Sequence, residues 1–108
     1  MAYATLDDLL AYASADELTQ LTGYDVFEPD ADIVAAILDD ASAEIDSYLP
    51  AGVTVPEGSK AVRRVCCFLA LFHLHARSTQ LVPSDARQQQ FDRANQWLFE
   101  LAMGTVTP

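Results

Sequence analysis

Both cysteines and both histidines of this chain fall within ten residues, CCFLALFHLH, from Cys66 to His75. Cys and His are common zinc ligands, and a thiol beside an imidazole is also the pair used in nucleophilic catalysis. A tetrahedral zinc requires its ligands to converge on one point. On a helix, His73 and His75 point about 200° apart, and Cys66 and Cys67 about 100° apart. Cys66 and His73 share a face but stand about 10 Å apart along the axis, too far to share one ion. No second Cys/His pair exists to complete a shell. The CC pair is not a CxxC redox motif, and adjacent cysteines rarely close an unstrained disulfide. The stretch therefore reads as core, with the thiols acting as small buried hydrophobes.

The acids of DDASAEID form the second constellation. Asp40 and Glu44 are four apart, so a helix puts both carboxylates on one face, where they can meet a divalent cation. No His, third acid at helical spacing or Gly-rich phosphate loop accompanies them. They read as a solvated face, or as partners for Arg63, Arg64 or Arg77. There is no GxSxG, and no Cys with an independently placed His. The sequence carries no enzyme signature, and no catalytic, metal or cofactor-binding residue is expected.

Charge is distributed unevenly. The chain has 108 residues and a net charge of -10. Residues 1–58 hold thirteen acids and no Lys or Arg; residues 59–108 hold three acids and six bases. An acidic surface repels phosphate and disfavours a nucleic-acid groove. Either the basic half neutralises the acidic half within one fold, or the acidic face of one copy meets the basic face of the next. The longest apolar run, Val65 to Phe72, is eight residues. That is far short of the ~20 needed to span a bilayer. No signal peptide is visible, so a soluble intracellular protein with reduced thiols is expected.

Capping signals and helical spacing place these residues on five helices. Thr5 with Asp8, and Ser14 with Glu17, are capping boxes that open two short helices. The first carries Leu6, Leu9, Leu10 and Ala13; the second buries Leu18 and Leu21 and ends at Gly23. Tyr24 to Pro29 is a loop. A longer helix runs from about Asp30 to Leu49, with Val34, Ile37, Leu38, Ala41, Ile45, Tyr48 and Leu49 on one arc. Asp39, Ser42 and Asp46 face the other way. PAGVTVPEG, residues 50–58, is a flexible linker in which Val53 to Val55 forms at best an edge strand. Ser59 caps a helix over Lys60 to Arg77 that is apolar almost all round, including Ala76, and so must be central. Ser78 to Val82 is a link, and Pro83-Ser84 opens the last helix. Its stripe is Phe91, Ala94, Trp97, Leu98, Leu101 and Ala102; Gly104 ends it, and 105–108 is a tail. The expected architecture is one all-α domain over 1–108, two short and three longer helices around a central apolar one. Phe99 and Met103 lie off the stripe. With Arg87 and Arg93 of the basic half and Asp39 and Asp46 of the acidic half, they are the candidate subunit-interface residues.

The segment DDASAEIDSYL, Asp39 to Leu49, resembles the signature of a small family from Mu-like phages and prophages. The opening YATLDDL and the closing helix, with Phe91, Ala94, Trp97-Leu98 and Gly104, resemble that family too, so the likeness covers about residues 3–104. PAGVTVPEG keeps the family's Pro56 but lacks its Arg-Tyr pair. The family is similar to the all-α connector proteins of long-tailed phages. The resemblance implies a virion structural protein at the head–tail joint, made in the host cytoplasm. Its partners would be the portal and tail-completion proteins. It would form a homo-oligomeric ring on assembly, with the isolated protein able to remain a monomer. DNA would pass through the ring without specific binding, and no cofactor or catalytic residue is implied. An alternative from the thirteen acids is an acidic interaction protein, such as a DNA mimic or an inhibitor of a host nucleic-acid enzyme. A small metal-dependent enzyme is the reading the spacing favours least.

Overall fold

The start of each helix is written in side chains that accept from its free backbone N–H groups. A computed structural model describes residues 2–23, 28–77 and 82–108. Among these, five helices form and no strand. The loop expected over 24–29 and the link over 78–82 lie largely outside the described residues.

Helix α1, Leu6–Leu9, opens with a reciprocal capping box. The Asp8 N–H donates to Thr5 Oγ1 at 3.3 Å, and the Thr5 N–H donates to the Asp8 carboxylate at 2.9 Å. Helix α2, Ala15–Thr22, forms only half of the expected box. Ser14 Oγ accepts from the Glu17 N–H at 3.1 Å. The Glu17 carboxylate turns away to partners on the last two helices. Asp30 caps α3, Ala31–Ser47, by accepting from the N–H groups of Asp32 and Ile33. Ser59 Oγ accepts from Val62 at the start of α4, Lys60–Arg77. Ser84 Oγ accepts from Arg87 at the start of α5, Asp85–Ala102. Past α5, Gly104 takes φ 78°. Its N–H donates to the Leu101 carbonyl and the Thr105 N–H to the Glu100 carbonyl, the two bonds of a Schellman stop.

Between α3 and α4 the chain makes two turns of the same form, Pro-Ala-Gly-Val and Pro-Glu-Gly-Ser. The Val53 N–H donates to Pro50 at 3.1 Å and the Ser59 N–H to Pro56 at 3.2 Å, with Gly52 and Gly58 at φ 81° and 75°. Val53 to Val55 joins no ladder, and Val55 packs at the edge of the core.

Helix α4 is the axis on which the others pack. Val62, Val65, Cys66, Cys67, Leu69, Ala70, Leu71 and Leu74 are all buried. α3 lies against it through Val34, Leu38, Ala41 and Ile45, and α5 through Ala94, Leu98 and Leu101. α1 and α2 add Leu9, Leu18 and Leu21. α3 and α5 both pack on α4 and hardly touch each other. They therefore pack on different sides of it.

Four placements depart from the helical wheels. Ser42, assigned to the solvent side, is buried: it donates to the Leu38 carbonyl at 2.8 Å and accepts from the Tyr3 N–H at 2.9 Å. The segment Ala2–Ala4 crosses α3 there and covers it, with the Tyr3 hydroxyl donating to Asp46. Leu10, Ala76 and Ala102, assigned to apolar stripes, are exposed because each lies beside a helix end that its neighbours do not cover.

Candidate functional site

The chemistry-bearing stretch of α4 is divided among three environments. Cys66 and Cys67 are fully buried and free. Cys66 Sγ lies 3.5 Å from Ser42 Oγ. Burial pushes the Cys66 thiol up, and pushes Cys67 up to about 12, so neither is a ready thiolate. His73 turns outward to Glu44, with Nε2 to Oε2 at 3.0 Å, and lies edge-on to Phe72 and Phe91. Those two rings stack at 3.8 Å between centroids and join the ends of α4 and α5. Glu44 is thereby turned to His73 and away from pairing with Asp40, which is exposed.

His75 goes inward. It is 7% exposed, its Nε2 lies 3.2 Å from Glu17 Oε1, and its buried Nδ1 has no hydrogen-bond partner among the described residues. Arg87 reaches the same carboxylate at 2.9 Å and also donates to the Tyr12 carbonyl and to Gln90 Oε1. Burial alone would raise the Glu17 carboxyl. The Arg87 guanidinium, followed by His75, outweighs burial and holds it below its ordinary value. This cluster ties α2, α4 and α5 together through residues up to 70 apart in sequence, a separation at which no spacing rule links them. Among the described residues, no three His, Cys, Asp or Glu side chains gather so that they could hold a metal ion.

The candidate interface residues divide between the interior and the surface. Arg87 is engaged within the chain, its side chain 11% exposed. Asp46 is exposed and accepts from Tyr3. Asp39 is exposed on α3, and Phe99 and Met103 stand out from α5 at 60% and 69% exposure. Arg93 is exposed and lines a groove of about 320 Å³ between α4 and α5. Arg64 lines the same groove, with Phe68 and Trp97 half-buried in its wall. The wheels assigned Trp97 to the core, and in sequence Arg64 is one of several cations. Their meeting depends on how α4 and α5 sit together. A second cleft, of about 350 Å³, lies between the N-terminal segment, α4 and the turn at Pro56–Ser59, with Asp8 and Arg63 at 3.9 Å across it. No helix among the described residues is long and apolar enough to cross a membrane.

Comparison with known proteins places this arrangement. A family profile described as bacteriophage Mu, Gp36 matches residues 3–108. Gene product J of Escherichia phage Mu is 30% identical over 112 residues, an alignment that takes in 100% of this chain and 77% of that protein. The likeness carried by YATLDDL, DDASAEIDSYL and the closing helix thus extends over the fold from Tyr3 to the end of the chain, and the chain belongs to the bacteriophage Mu Gp36 family.

Proposed function

We propose that the protein is a structural component of the phage particle, a head–tail connector that joins the portal to the tail. The observation that carries this reading is membership of a Mu phage family across residues 3–108, taken with the connector role that the sequence resemblance implies. The side chains suited to chemistry support it. Both thiols are packed away, and both histidines are held by carboxylates of neighbouring helices. No catalytic residue is assigned. The net charge of -10 also suits a ring through which DNA must slide without being gripped.

The test is assembly with the portal of a Mu-like phage. Purified protein mixed with portal rings should bind and add a discrete ring of density by electron microscopy. Absence of binding to portal and to tail-completion proteins, under conditions where the portal itself is a ring, would remove the connector role.

A further inference from the structure

The groove between α4 and α5 is unusual for its cations. The chain has sixteen acids for six bases, so every Arg has carboxylates to spare. Arg87 and Arg63 each meet an acid, and Arg77 donates to the Leu21 carbonyl. Among the described residues, Arg64 and Arg93 make neither an ion pair nor a side-chain hydrogen bond, and both line this groove. Between them lie Phe68 and Trp97, over a floor of Val65 and Ala94. Glu100, at one end, accepts from Gln96 at 3.3 Å. Two unpaired guanidinium groups flanking aromatic faces form a receptor for an apolar or small surface edged with carboxylates.

The same chain carries such a surface. The outer side of α3 exposes Asp32, Asp39 and Asp46 at seven-residue spacing, Asp46 also accepting from the Tyr3 hydroxyl, with the small Ala36 and Ala43 between them and no base anywhere on the helix. A helix face of alanines allows close approach, and the aspartates border it. α3 and α5 pack on different sides of α4. A patch and its complement on different surfaces of one chain make a heterologous contact, which repeats from copy to copy instead of closing as a two-fold pair.

We infer that the α4/α5 groove of one copy receives the acidic outer face of α3 from a second copy, and that this is the junction between neighbours in an assembled ring. The ring itself rests on the connector reading; the contact does not require the portal. Arg64 and Arg93 pair with the aspartates of the incoming α3, and Trp97 is covered by its alanines.

Trp97 is the only tryptophan, so its fluorescence reports on the groove. At low salt, raising the protein concentration should shift Trp97 emission to the blue as sedimentation shows association. Added NaCl should reverse both. The double substitution Arg64→Glu/Arg93→Glu should abolish the association while leaving the far-ultraviolet dichroism unchanged. With Ala43→Cys and Gln96→Cys in one chain, a short bismaleimide should give a ladder beyond the dimer, whereas either single substitution, which leaves no second thiol across the junction, should stay a monomer. A chain that stays monomeric with constant Trp97 emission and no ladder would overturn the contact, as would association that survives the Arg double substitution. A blue shift on adding duplex DNA to monomeric protein would assign the groove to phosphate instead. Portal binding without a ladder would sink this contact and leave the connector reading standing; a ladder without portal binding would do the reverse.

Discussion

Glu17 holds two partners at once, Arg87 at 2.9 Å and His75 at 3.2 Å. Its folded carboxyl titrates below the ordinary 4.5 of the unfolded chain. Its contribution to stability is therefore complete above that value and is lost as pH falls through the folded one. Glu17→Gln should cost about 1–2 kcal/mol at neutral pH. Solvent reaches the carboxylate on one side, which keeps the loss below that of a fully buried pair. In urea melts the gap between wild type and variant should close as the pH drops well below 4.5; a gap of constant size would show that the carboxylate does not titrate against Arg87. Cys66 and Cys67 offer a second check. Burial raises both thiols, so each should label slowly until the protein unfolds, and rapid labelling of both in the native state would show that α4 is not the centre. That much was legible in the sequence, because diverging side chains on one helix cannot build a metal shell. The roles of Glu17 and Ser42 were not. Each looked like a local feature, a capping partner and a solvent-facing serine, until a distant segment reached it: Arg87 in one case, Tyr3 in the other.

Helix limits follow from local chemistry, and local chemistry is what a sequence displays best. α4 begins and ends where Ser59 and the apolar pattern put it, at Lys60 and Arg77. α3 stops at Ser47, two residues before the apolar arc runs out, because Pro50 disfavours helical backbone at Leu49. The apolar pattern alone does not register that restriction. The caps can be tested against each other. Ser84 is exposed, and its Oγ has one role, accepting from the Arg87 N–H. Ser84→Ala should lower stability by about 1 kcal/mol in thermal or urea melts, and Ser84→Asp should restore most of it. An unchanged Ser84→Ala melt would mean that α5 is held by its packing on α4 alone. The groove between α4 and α5 lies beyond this reach. Trp97 reads as an apolar stripe residue, but only the relative placement of the two helices leaves it half-covered with Phe68 beside Arg64 and Arg93.

At the scale of the molecule, charge decides how the halves of the chain depend on each other. Among the described residues, both Arg–carboxylate pairs join an acid from residues 1–58 to a base from residues 59–108, Asp8 to Arg63 and Glu17 to Arg87, while Glu44 and Glu17 also meet the imidazoles of His73 and His75. The basic half does offset part of the acidic half within the fold, through the two acids bonded to Arg. Among the described residues, most acids of 1–58 remain without a cation, on a body only 27 by 19 Å across its shorter axes. At about 10 mM salt the screening length is ~30 Å, so these carboxylates repel one another through the whole molecule. Salt then acts in two opposing directions. It weakens the exposed pairs, each contributing about 0–1 kcal/mol, and it relieves a repulsion that many unpaired acids share. The second effect involves more charges and acts over longer distances, so it should dominate. Raising NaCl from about 10 mM to about 0.5 M should raise the thermal midpoint by several degrees, most of it gained below ~0.1 M, where the screening length falls to ~10 Å. Dilute protein, kept monomeric by the Arg64→Glu/Arg93→Glu substitution, separates this effect from self-association, which salt should weaken. A midpoint that falls with salt in that variant would show that the pairs across the halves, above all Glu17 with Arg87, outweigh the repulsion and hold the acidic half to the basic one.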